Sequence, residues 1–75
     1  MNKAEATIEA IRKQEQERPE NLDFLCAMYI AGDRNKELRR EMMHILTGES
    51  LPLSKCGMYA VSNQLKVHFA QLQLF

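Results

Sequence analysis

Cys26, His44, Cys56 and His68 are the side chains of this sequence best suited to hold a metal. Two thiolates and two imidazoles make up the donor set of a tetrahedral zinc site. Their spacing argues against one. Small zinc domains bring their ligands in close pairs, C-x₂₋₄-C and H-x₃₋₅-H, and these four stand singly along the chain. The N-terminal stretch carries no secretory apolar segment, so the two cysteines read as reduced thiols and not as a disulfide. Cys26 lies in an apolar run and is expected in the core. Cys56, before Gly57 in a turn-like stretch, is expected to be more exposed. No metal and no cofactor are expected.

The residues of acid–base and nucleophilic chemistry are present without the arrangement. Ser, His and carboxylates occur, but no spacing marks a nucleophile with its base. The three glycines, at 32, 48 and 57, are isolated, so there is no phosphate-cradling loop. A chain of 75 residues has little room for an enclosed site of a few hundred Å³. The chain is therefore not expected to be an enzyme or to take a small-molecule substrate.

Two sets of side chains suit contact with a macromolecule. Lys36, Arg40 and His44 fall at i, i+4 and i+8, a basic stripe with Arg39 beside it, suited to phosphates or an acidic partner. Glu37 and Glu41 occupy the adjoining stripe and compensate much of its field. The second set is Ser62, Asn63, Gln64 and Lys66, in a segment with no acidic residue after Glu49. Residues 49–66 can be laid over a helix-turn-helix with Gly57 at the turn, whose second helix would offer these four side chains to base edges. Against that, Asn63 and Lys66 fall where such a unit buries apolar residues, and Pro52 lies inside its first helix. Ten basic and ten acidic residues also cancel to a net charge of zero, which removes any global pull toward nucleic acid.

The elements that must position these residues read as helices. Asn2 is a good N-cap with Glu5 three residues on, and Ala4, Ile8 and Ile11 give a narrow apolar stripe to a helix over 3–18. Beyond Arg12 the stripe gives way to polar residues, so the second half is expected to project into solvent before Pro19 ends it. Residues 22–31 follow, capped by Asn21 or Asp23. From Phe24 to Ala31 there is no charged or amide side chain, and a helix apolar all round needs cover on all sides. This helix is placed at the centre. Gly32 is expected at its left-handed C-terminal position. Asp33 or Asn35 starts the next helix at once, which makes the two a tight pair.

The third helix ends at Gly48, with Leu38, Met42, Ile45 and Leu46 inward. A short helical turn over 51–56 is broken at Gly57. The last helix carries Met58, Val61, Leu65, Phe69 and Leu72 on one face and a second apolar set, including Val67, Ala70 and Leu74, on another. Residues 65–74 also alternate with period two, as a strand would, but no second strand is available to pair with it. The expected fold is all-α: one domain over 1–75, a small three- to four-helix bundle around residues 22–31.

A second apolar face on the last helix needs a partner. The expected function is stoichiometric protein–protein binding, as a small stand-alone regulator, inhibitor or adaptor. A homodimer is expected, with Val67, Ala70, Leu74 and Phe75 at its interface. The alternative is a helix-turn-helix-like DNA-binding regulator using 50–70. The longest apolar run is far short of the roughly 20 residues of a membrane span, and the expected location is cytoplasmic.

Overall fold

A computed structural model describes residues 2–17 and 22–73, with side chains described as far as Gln71. The fold is all-α, a bundle of four helices: α1 (Lys3–Glu17), α2 (Leu22–Asp33), α3 (Lys36–Thr47) and α4 (Met58–Gln73). A 3₁₀ turn at Leu53–Lys55 precedes α4. No strand occurs among the described residues, and 65–73 is helical.

The ends form as the local chemistry directs. The Asn2 Oδ1 accepts from the Glu5 backbone N–H at 2.8 Å and caps α1. The Asn35 side chain caps α3 in the same way, accepting from the Leu38 N–H at 3.1 Å. Gly48 ends α3 with φ 75°, and its N–H bonds the His44 carbonyl at 2.8 Å.

The end of α2 departs from expectation. The helix runs through Gly32 to Asp33, and the left-handed residue is Arg34, with φ 52°. Staying helical keeps Asp33 on the last turn, where its carboxylate pairs with Lys3 at 2.6 Å and ties the start of α1 to the end of α2. A non-glycine residue spends roughly 1–2 kcal/mol in this conformation, and an ion pair with so exposed a lysine returns at most about 1 kcal/mol of it.

The short link does not make α2 and α3 a packed pair. Each packs chiefly against α1 and α4. The shared core takes Ala4, Ile8 and Ile11 from α1, Leu22, Cys26 and Ile30 from α2, and Leu38, Met42 and Met43 from α3. Val61, Leu65 and Phe69 of α4 and Cys56 complete it. Cys56 is thus buried, against expectation: the 3₁₀ turn folds it inward, with its thiol 3.5 Å from the Pro52 carbonyl.

Several side chains lie differently from the expected faces. On α3 the inner stripe is rotated so that Met43 is buried and Ile45 is exposed. The rotation brings Arg39 half inward, where its Nε–H donates to the Cys56 carbonyl at 2.9 Å and pins the 3₁₀ turn to α3. On α1 the buried stripe continues from Ile11 to Glu15 instead of ending at Arg12. Met58 is more exposed than Val61, Leu65 and Phe69 of the same face of α4.

Candidate interaction surface

The helix with the fewest polar residues is not covered all round. Leu22, Leu25, Cys26 and Ile30 turn inward, whereas Phe24 is 65% exposed and Met28 is 55% exposed. Ala31 is exposed and Ala27 half-buried between them. The expectation that Phe24 and Ala31 lie under other segments is therefore corrected. Two neighbouring helices, α1 and α4, enclose one side of α2 and leave the other open.

α4 runs antiparallel to α2 beside that open side. Its first turn adds Met58 and Tyr59, the latter 85% exposed. A pocket of about 130 Å³ lies between the two helices, lined by Asp23 and Ala27 from α2 and by Met58, Tyr59, Ser62 and Asn63 from α4. Met58 and Tyr59 border this depression, and Phe24 and Met28 are exposed on the same helix as its Asp23 and Ala27 walls.

A polar latch borders the pocket. The Ser62 hydroxyl donates to Asp23 Oδ1 at 2.9 Å, and the Lys66 ammonium meets Asp23 Oδ2 at 2.5 Å. The hydrogen bond from Lys66, then that from Ser62, hold the Asp23 carboxyl below its usual range. A carboxylate stabilised in this way is a poor base for the serine, and Ser62 is itself buried. Burial pushes the nearby Cys26 thiol up to about 11, so it stays protonated at neutral pH and is no nucleophile. The cluster joins α2 to α4; it does not assemble a nucleophile with its base.

The other residues singled out in the sequence scatter. Ser62 is buried and Lys66 is engaged by Asp23, while Asn63 is exposed and Gln64 half-buried. The four do not present one free face for base reading. Lys36, Arg40 and His44 are exposed, and Arg40 pairs with Glu37 at 3.2 Å. Arg40, Glu41, His44 and Ile45 line an open groove with Asn2 and residues 50–52. Its charges alternate, so it selects neither sign strongly.

Val67 is 51% exposed and Ala70 is exposed; Leu74 and Phe75 lie outside the described residues. Cys26 and Cys56 are buried, His44 is exposed and His68 stacks at a tilt on Phe69, ring centroids 5.5 Å apart. No group of three or more His, Cys, Asp or Glu suited to a metal occurs among the described residues. No described helix is long and apolar enough to cross a membrane.

Comparison with known proteins finds no matching family model, no matching curated protein and no matching solved structure.

Proposed function

We propose that this protein acts by stoichiometric binding to another polypeptide, as a small regulator, inhibitor or adaptor. The observation that carries the reading is the open side of α2, where Phe24 and Met28 are exposed, next to a pocket that Asp23 and Ala27 of the same helix share with Met58 and Tyr59 of α4. Contiguous apolar surface of this kind marks interaction sites on soluble proteins. Aromatic residues and methionine are also the types enriched in the centre of protein interfaces. Methionine adapts its shape to a partner, and a buried tyrosine keeps a hydroxyl for hydrogen bonding.

The test places a photo-activated cross-linking side chain at Met28 of the full chain and irradiates it in native extract. The expected product is a discrete adduct with a polypeptide, lost when Phe24→Glu is added. Cross-linking no stronger or more selective than from exposed Gln16 of α1 would overturn the reading.

A further inference from the structure

We infer that the partner seated on this face is a second copy of the chain, with α2 packed on α2 across a two-fold axis. The inference rests on the reading of the face as a protein-binding surface and names its occupant. Closed two-fold dimers are the commonest assemblies of soluble proteins, and they need one surface that carries both a projection and the matching hollow.

The open side of α2 has both. Phe24 and Met28, one turn apart, form a projecting i, i+4 ridge. Ala27 and Ala31 form the neighbouring i, i+4 row, and their small side chains leave it low. Helices pack by laying such a ridge into the groove of the facing helix, most often at about −50°. A two-fold axis through the middle of α2 sets each Phe24–Met28 ridge along the partner's alanine row.

Charge supports a like partner. Asp23, the one ionisable carboxylate lining the pocket, is already paired with Lys66. Two copies therefore meet without like-charge repulsion, and nothing bordering the pocket selects a strongly charged partner. Area supports it as well. A stable interface buries about 800 Å² per partner. With an aromatic side chain offering about 150–250 Å², the exposed fractions of Phe24 and Tyr59 alone supply roughly 230–370 Å². Met28, Met58 and Ala31 extend the apolar centre, and Asn63 supplies a polar rim.

Sedimentation equilibrium of the full chain tests this, with circular dichroism confirming that each variant is helical. The parent should be a dimer at tens of micromolar. Phe24→Glu should weaken the dimer by about 30-fold or more, the loss typical of an interface hot spot. Val67→Glu, on the other exposed side of α4, should leave it intact. If Phe24→Glu fails to fold, Phe24→Ser and Tyr59→Ser report on the same contact. Dimer lost in Val67→Glu but kept in the Phe24 variants would overturn the inference and move the interface to the end of α4. A monomeric parent would also overturn it. In that case an adduct from position 28 with a different polypeptide leaves the surface a binding site and removes only the second copy as its occupant.

Discussion

Replacing Ile30 and Met28 separately by alanine measures how one-sided α2 is. The two residues are two positions apart on one helix, yet Ile30 is buried in the shared core and Met28 stands more than half exposed. Ile30→Ala removes three carbons, each worth about 0.8 kcal/mol in transfer from water. The cavity left behind adds to this and brings the loss to about 2–4 kcal/mol. A domain of this length has only about 4–11 kcal/mol to lose.

At about 4–8 °C per kcal/mol, the melting temperature should fall by roughly 8–32 °C. Met28→Ala forfeits less than half of the about 1.5–3 kcal/mol of a fully buried methionine, and alanine returns a little through its helix propensity. Its melting temperature should fall by no more than about 10 °C, and by less than that of Ile30→Ala. The assay is thermal unfolding at low protein concentration, because self-association would protect the face and make the transition concentration-dependent. Equal losses from the two variants under those conditions would refute the one-sided helix, and with it the open surface.

Three further outcomes follow from particular contacts. Gly48→Ala should cost about 1–2 kcal/mol in a urea titration, because φ at that position is 75° and a Cβ there is strained even though nothing crowds it. No change would mean that the end of α3 relaxes into another conformation. The Asp23 latch should be pH-dependent: its folded-state pKa lies below the unfolded value of about 3.9, so its contribution is complete above that value and is lost as the pH falls through the depressed pKa. Asp23→Asn should accordingly be less stable than the parent at neutral pH and converge with it under strong acid; a constant difference at both would remove the latch. Both thiols should react slowly with a disulfide reagent in the folded protein and quickly in urea, since both are buried. Rapid labelling of native Cys26 would contradict its raised pKa.

Helix ends were legible where one residue determines the local geometry. Asn2, Asn35 and Gly48 each carry a side chain, or lack one, in the way a cap requires, and each acts as expected. Gly32 shows the limit of that rule. The helix continues through it to Asp33, which pairs with Lys3, a contact between residues far apart in sequence that spacing does not show. The same reason hides Arg39: as one of several basic residues on α3 it looks solvated, and only the fold places the Cys56 carbonyl within its reach. Ser62 carried a weak signal. It sits on the stripe of Leu65 and Phe69, a polar residue where burial is expected, and a buried hydroxyl needs a partner. That the partner is Asp23, 39 residues away, could not be read from spacing.

The open face of α2 was hidden for a different reason. Periodicity tells inside from outside only when the two differ, and over Phe24–Ala31 they do not. A uniformly apolar helix fits two situations: cover by the chain's own segments, or cover on one side with the other open to a partner. Chain length separates them. A domain this small buries only about 60% of the surface its unfolded chain exposes. Of its other helices, α1 and α4 do most of the packing on α2, and α3 lies mainly against those two. Among the described residues of α4, Val61, Leu65 and Phe69 face the shared core, and Ser62 and Lys66 are held by Asp23, so none of these closes the remaining side. Keeping Phe24 and Met28 apolar on such a surface adds little to the stability of a monomer. It would add much to a complex in which they are buried, as the proposed binding role requires.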